Sequence, residues 1–402
     1  MPLSSSISRL LLKTMLDRGV GGYLRRCGFL GFLFAVSLCA PSASGQLSTE
    51  DHLAEPGFWP TQSIPSRDNF VGSDTCAHCH GSKVAAQKKT PMGRAAMLSP
   101  LSEILHAHPL MVFSPGKYKY RIETASDHSQ YSVSGGSESL SFPLLWAFGT
   151  GRVGQSYLFK KDNTDFFEAR VTYFETLGTI DFTPTRALLS PSGVEEAMDR
   201  PVPQSEVLRC FGCHTTGSNI GGHFDESRLV PGVTCEACHG PGAGHVQSMT
   251  GVTGSASDVK PAIFNSAHLE PVDAVDFCGA CHSTWWDVKL TGVKGVSTTR
   301  SAPYRLVMSK CWGKGDARLI CTACHDPHEQ LQTDAAAYDK VCLNCHANST
   351  GVSRTKEHQN ACPVAHSRCT SCHMPKVYVP EMRDKFTDHR IRIARAGEPF
   401  PE

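Results

Sequence analysis

The sequence has almost no net charge, because 39 Lys and Arg residues are balanced by 38 Asp and Glu residues among its 402 residues. A chain without an excess of positive charge lacks the positive surface that attracts nucleic acids and anionic membranes. After residue 45, no stretch approaches the roughly 18 consecutive apolar residues of a membrane-spanning helix. We therefore expect no nucleic-acid partner and a mature chain that is soluble.

One long part of the sequence lacks cysteine. Residues 111–185 contain no Cys and one His, His128, for which a solvated position is expected. Apolar and polar residues alternate at 118–123, 131–133 and 169–174, and glycines separate these segments. Alternation with period two, interrupted by turn residues, is typical of antiparallel strands. We predict a small antiparallel β subdomain over 111–185.

Elsewhere cysteine is abundant and follows one pattern. Seven copies of Cys-x-x-Cys-His account for fourteen of the 18 cysteines. The copies are Cys76, Cys79 and His80; Cys210, Cys213 and His214; Cys235, Cys238 and His239; Cys278, Cys281 and His282; Cys321, Cys324 and His325; Cys342, Cys345 and His346; and Cys369, Cys372 and His373. We number these motifs 1 to 7 in chain order.

The motif is the attachment signature of c-type haem. On a helical turn, positions i, i+3 and i+4 share a face, so that two thioether sulfurs and one imidazole can hold one porphyrin. Zinc sites and disulfides are the alternatives, but neither requires a His directly after the second Cys in every copy. We predict seven covalently bound haem c groups with the seven motif histidines as proximal iron ligands.

The remaining histidines are candidates for the second axial position. His245 and His328 follow their own motifs so closely that each would bind the iron of a neighbouring haem. Closing every iron with two imidazoles would leave no open coordination position, whereas one open iron would permit catalysis. The distal candidates are His245, His328, His389, His358, His366, His223, His268, His106, His108 and Met92.

The N-terminus is typical of an export signal. Arg25 and Arg26 precede an apolar run over 28–40, and small residues follow it, which predicts cleavage near Gln46. A lipid anchor at Cys39 is an alternative. Export agrees with the motifs, because c-type haem is attached outside the cytoplasmic membrane. We expect a periplasmic or extracellular protein.

The predicted fold class is mainly α with little regular structure, a haem-packed multihaem cytochrome c fold with the small β subdomain added. Ser73 and Asp74 are candidate N-caps for the helix that carries motif 1. Of the cysteines outside the motifs, Cys311 and Cys362 either form a disulfide or remain free thiols. The predicted divisions are a signal peptide over 1–45, a haem 1 segment over 46–110, the β subdomain over 111–185, a six-haem domain over 186–392 and a tail over 393–402.

Four stretches resemble multihaem c-type cytochromes of the doubled Cys-x-x-Cys-His kind, which are related to the tetrahaem cytochromes of nitrifiers and the hydroxylamine oxidoreductase group. The stretches are 71–76, 233–242, 324–328, and 372–376 followed by 387–390. The resemblance implies bis-His ligation and stacked haem pairs, with His245 and His389 as distal ligands. The chain lacks the Cys-x-x-Cys-Lys motif of pentahaem nitrite reductases, so that catalytic activity is not carried over.

The expected function is electron transfer between redox partner proteins, with a membrane-associated electron-transfer complex as one setting. The alternative is a reductase or oxidase of a small nitrogen or sulfur compound at one open haem. A conductive filament subunit, or one that docks on a porin complex, is a third hypothesis.

Overall fold

The computed structural model describes residues 67–402 except 163–164, 185, 251–262, 314, 347–361 and 363. The proposed export signal and His358 lie outside the described residues. The described α-helices are α1 Ser73–Gln87, α2 Glu103–Ala107, α3 Val194–Met198, α4 Gln204–His214, α5 Cys235–His239, α6 Ala243–Thr250, α7 Pro271–His282, α8 Trp285–Thr291, α9 Ala302–Val307, α10 Cys321–Cys324, α11 Asp339–His346 and α12 Thr370–His373.

Most strands lie in the first half of the described chain. They are β1 Ala96–Leu98, β2 Leu110–Phe113, β3 Lys119–Thr124, β4 Ser129–Gly135, β5 Glu138–Pro143, β6 Trp146–Phe148, β7 Gln155–Lys160, β8 Phe166–Phe174, β9 Thr179–Phe182 and β10 Asp199–Pro201. Short pairs follow at β11 Thr215–Thr216 with β14 Val230–Pro231, β12 Asn219–Ile220 with β13 His223–Phe224, and β15 Lys376–Val379 with β16 Asp384–Thr387.

Two antiparallel sheets share one apolar core. The four-stranded sheet has the order β2-β3-β4-β5, and the six-stranded sheet has the order β1-β6-β7-β8-β10 with β9 also paired to β8. Tyr120 and Tyr131 of the first sheet pack with Tyr157, Phe159 and Val171 of the second, and all five are buried. This burial follows the alternation of the sequence, because one face of each strand must leave water.

The six-stranded sheet extends beyond the range predicted for the β subdomain. Strands β1 and β10 lie outside 111–185, and each has only three residues. A strand this short carries too little alternation to be recognised in a sequence. The described fold is a mixture of helices and antiparallel sheets.

The chain after residue 209 is packed differently. Apart from Phe211, which joins a cluster with Trp146 and Phe166, its apolar cluster among the described residues is built on Val275, Leu306 and Trp312. The cluster around the two sheets has eighteen buried residues. Motif helices of four to twelve residues and connecting loops make up most of this part. So small an apolar core does not by itself account for the folding of a domain of this length.

Candidate metal centres

All seven motifs lie on or at the end of a helix. Motif 1 is in α1, and motifs 2 to 7 are in α4, α5, α7, α10, α11 and α12 in that order. The two cysteines of each motif therefore have the helical spacing that puts them on one face, whereas the backbone at His80 and at His325 departs from helical dihedral angles.

Cysteines of different motifs lie against each other. Cys76 lies beside Cys235, which joins motifs 1 and 3. In the same way Cys213 contacts Cys281, Cys278 contacts Cys321, and Cys342 contacts Cys369. Motif 2 thus adjoins motif 4, motif 4 adjoins motif 5, and motif 6 adjoins motif 7.

Three histidine pairs bring a motif imidazole opposite a second imidazole. The ring centroids of His80 and His245 are 6.5 Å apart at an interplanar angle of 19°. Those of His239 and His328 are 6.1 Å apart at 8°. Those of His325 and His389 are 6.3 Å apart at 54°.

These separations fit one metal ion between two imidazoles. A metal–imidazole bond of about 2.0 Å and a further ~1.1 Å from the nitrogen to the ring centre give about 6.2 Å between two rings on opposite sides of a metal. A zinc site of four Cys and His ligands would not need this opposed arrangement. The donor set therefore fits axial ligation of haem iron.

The second ring nitrogen of several histidines has a fixed partner. Nδ1 of His239 lies 2.9 Å from the carbonyl oxygen of Phe264, and Nδ1 of His389 lies 3.0 Å from that of Thr387. Nδ1 of His328 lies 2.9 Å from Oδ1 of Asp326. The carbonyl oxygen of Ala95 likewise contacts Nδ1 of His214, and that of Arg392 contacts Nδ1 of His373. An Nδ1–H donated in this way leaves Nε2 as the metal-binding nitrogen.

Burial lowers the pKa of four histidines in or near the motifs. It lowers the pKa of His214, His282 and His325, and it lowers the pKa of His389 to about 4, with His325 adding to the effect. A neutral imidazole is the form that binds iron.

Two carboxylates tie motif helices together. Glu236, inside motif 3, accepts hydrogen bonds from the backbone N–H groups of Val71, Gly72 and Gly242, each at 2.9 Å. Gly72 precedes α1, so that Glu236 binds the backbone at the start of this helix, where Ser73 and Asp74 were the predicted caps. The predicted caps are wrong, since α1 has no side-chain cap at its N-cap residue.

The second carboxylate acts at motif 7. Asp339 at the start of α11 accepts from the backbone N–H groups of Arg368 and Cys369, at 2.6 and 2.8 Å. It therefore joins the helix of motif 6 to the start of motif 7.

A buried ion pair lies beside His389. Arg305 Nε is 2.8 Å from Asp388 Oδ1, and both side chains have no exposed surface. Burial alone would raise the pKa of Asp388, but Arg305 and Arg392 together hold it below its ordinary value. Arg305 also donates to the carbonyl oxygen of Pro401 and lies over the ring of Phe400. This pair fixes the residue next to His389.

The other candidate ligands have different surroundings. Nε2 of His106 lies 2.8 Å from the carbonyl oxygen of Pro100, and Nε2 of His108 lies 3.1 Å from the Tyr173 hydroxyl. His223, His268 and His366 are exposed, and Met92 is half-buried. The structure describes no pairing of these residues with a motif histidine.

His346 ends α11. Cys311 and Cys362 are both free, which is the second of the two alternatives that the sequence left open.

Sequence reasoning missed Glu236, Asp339, Arg305 and Asp388. Glu236 occupies a variable position of the motif, and the partners of Arg305 and Asp388 are distant in sequence. An acidic residue within or just before a motif is the one signal that could have suggested the carboxylates, because helix starts attract negative charge.

Two segments of the chain match known families. Residues 188–240 match the family described as cytochrome c554 and c-prime, and residues 314–351 match the doubled CXXCH motif. No curated protein matches the chain. Among solved structures, the outer cell wall cytochrome OcwA is similar, with 14% sequence identity, a TM-score of 0.43 and coverage of 81% of this chain and 80% of that chain.

The two matched segments contain motifs 2, 3, 5 and 6. Together with the repeated Cys-x-x-Cys-His sequence, they make the chain a multihaem c-type cytochrome. Along the described ranges, no helix is both long and apolar enough to cross a membrane.

Proposed function

We propose that the protein is an exported seven-haem c-type cytochrome that transfers electrons between redox partner proteins. The observation that carries this proposal is the set of three opposed histidine pairs, at 6.1 to 6.5 Å between ring centroids. An iron with two imidazole ligands has no free position for a substrate, and it exchanges electrons only.

The ligand assignment follows the three pairs. His80 and His245 hold the iron of haem 1, His239 and His328 that of haem 3, and His325 and His389 that of haem 5. The distal ligand comes each time from the segment after the motif two places further along. Haem supplies the electron-accepting iron, and the chain supplies its ligands, spacing and burial. The bound haems would fill the interior of the region formed after residue 209, where the apolar core is small.

Contacts between motif cysteines indicate the order of electron transfer. Neighbouring cysteines connect motifs 1 and 3, 2 and 4, 4 and 5, and 6 and 7. Cys238 of motif 3 lies near Cys278 of motif 4, and Cys324 of motif 5 lies near Cys342 of motif 6. The order is then 1–3–4–5–6–7, with motif 2 as a branch from motif 4 that packs against the six-stranded sheet.

Export and partner choice are part of the same proposal. The Arg pair, apolar run and small residues of 25–45 support a cleaved signal and a periplasmic or extracellular location. The four stretches that resemble nitrifier tetrahaem cytochromes and the hydroxylamine oxidoreductase group support a relation to them. The partners are redox proteins, and a membrane-associated electron-transfer complex is the proposed setting.

Electron paramagnetic resonance of the oxidised protein, combined with carbon monoxide binding to the reduced protein, tests this function. We expect low-spin signals, no stoichiometric carbon monoxide complex, and low potentials in a redox titration, because bis-His haems have lower potentials than His/Met haems. One high-spin haem that binds carbon monoxide or nitrite would instead support the reductase or oxidase alternative.

A further inference from the structure

We infer that Glu236 is the positioning residue that sets the ligation of haem 1, by holding the helix of His80 and the helix of His245 at the distance one iron requires. This inference rests on the proposed function, because it takes His80 and His245 to be the two axial ligands.

The contacts of Glu236 join the starts of two helices. Oε1 accepts from the N–H groups of Val71 and Gly242, and Oε2 accepts from the N–H of Gly72. Val71 and Gly72 directly precede α1, which carries His80, and Gly242 directly precedes α6, which carries His245. One side chain thus links the backbone entering both ligand-bearing helices.

Burial makes this link rigid. Glu236 is 3% exposed, and a carboxylate removed from water is stable only when its oxygens receive hydrogen bonds. Three backbone donors on two oxygens meet this need. A neutral amide of the same shape offers one acceptor oxygen, and its NH₂ group would face an N–H donor in either orientation.

Close packing at Gly242 also helps to hold the starts of α1 and α6 together. A Cβ at this position would lie 2.8 Å from Cγ2 of Val71 and 3.3 Å from Oε1 of Glu236. Glycine therefore permits the two chain segments to approach each other on either side of the carboxylate.

The His245 ring depends on its helix for its position. Its Nδ1 is buried and has no hydrogen-bond partner among the described residues, whereas Nδ1 of His328 and of His389 is fixed by a neighbouring oxygen. At the other two pairs, a hydrogen bond to Nδ1 orients the second imidazole. At His245, the Glu236 carboxylate has this orienting role, because it holds the start of α6.

The first experiment compares Glu236→Gln and Glu236→Ala with the unchanged haem-loaded protein. Spin state is measured by electron paramagnetic resonance, and carbon monoxide is bound to the reduced forms. We expect one haem equivalent to gain high-spin character and to bind carbon monoxide, with a larger high-spin fraction in the Ala variant. Glu103→Gln, which removes an exposed carboxylate paired with Arg94, is the control and should leave all haems unchanged.

A second variant keeps the charge. Gly242→Ala should produce the same high-spin haem through the steric contacts with Val71 and Glu236. Gly193→Ala is its control, because nothing lies within 4 Å of a Cβ at Gly193. If both Glu236→Gln and Gly242→Ala stay fully low-spin, the inference is wrong. A changed haem potential without any high-spin haem would also overturn it, since Glu236 would then act through its charge alone.

His245→Ala separates this inference from the proposed function. If His245→Ala opens one haem while the Glu236 and Gly242 variants open none, the ligation stands and the positioning role fails. If His245→Ala leaves every haem low-spin, the assignment of His245 as the distal ligand of haem 1 fails, and the positioning role fails with it.

Discussion

His239 and His328 face each other with nearly parallel rings, 6.1 Å apart between centroids and at 8° between planes. Each has Nδ1 bound to an oxygen, at Phe264 for His239 and at Asp326 for His328. Asp326 also pairs with Lys83 of α1. The proposed second ligand of motif 3 is therefore oriented by a contact that reaches the helix of motif 1.

Removal of His328 should open one iron. In His328→Ala we expect one haem equivalent to become high-spin and to bind carbon monoxide, because no second imidazole would remain opposite His239. Visible spectra and electron paramagnetic resonance measure this change. His128→Ala is the control, since His128 is exposed and contacts Asp127. An unchanged low-spin spectrum for His328→Ala would contradict the pairing.

The haem count can be measured by mass. The purified exported protein should begin near Gln46 and carry the added mass of seven haems. Replacing both Cys342 and Cys345 by Ala should remove one haem, because the motif then offers no thioether bond. Cys362→Ala, at an exposed cysteine outside the motifs, should keep all of them. A double variant with the full haem mass would refute attachment at motif 6.

The Arg305–Asp388 pair should contribute strongly to stability. Arg305→Met leaves the Asp388 carboxylate buried without its main partner, and the free energy of unfolding should fall by about 3–5 kcal/mol. Denaturant unfolding followed by the haem spectrum measures it. Arg318→Met is the control, since its partner Asp316 and Arg318 itself are partly exposed, and it should cost at most about 1 kcal/mol. A similar, small cost for both variants would contradict this role.

Phe211 should hold motif 2 against the six-stranded sheet. It is fully buried, and its ring lies 5.2 Å from that of Trp146 and 5.1 Å from that of Phe148. Phe211→Ala should lower the free energy of unfolding by about 3–5 kcal/mol, because it leaves a cavity. Leu188→Ala, at a residue 89% exposed, should change it by about 0.5 kcal/mol or less. Equal midpoints for the two variants in thermal unfolding would count against the packing role.

Local patterns in the sequence predicted local structure well. The motif spacing predicted the helical turns, and period-two alternation predicted the segments that form β3, β4 and β8. The edge strands β1 and β10 were missed, since three residues carry no readable period.

Long-range relationships could not be read from the sequence. Nothing in the spacing of His328 or His389 says which motif histidine it faces, because that depends on how distant helices pack. The role of Glu236 was hidden for the same reason, since its three donors belong to segments on both sides of motif 3. Such contacts are set by tertiary packing and leave no periodic trace in the chain.

The pairing of motifs 1, 3 and 5 with histidines that follow motifs 3, 5 and 7, respectively, has a consequence for assembly. A protein is synthesised from its N-terminus, and early segments can fold before later ones exist. The iron bound by His80 would then lack its second ligand until His245 is synthesised. The same holds for His239 with His328 and for His325 with His389. Maturation would close these three irons one after another towards the C-terminus, and a chain interrupted partway would be left with the last of the three reactive towards small ligands.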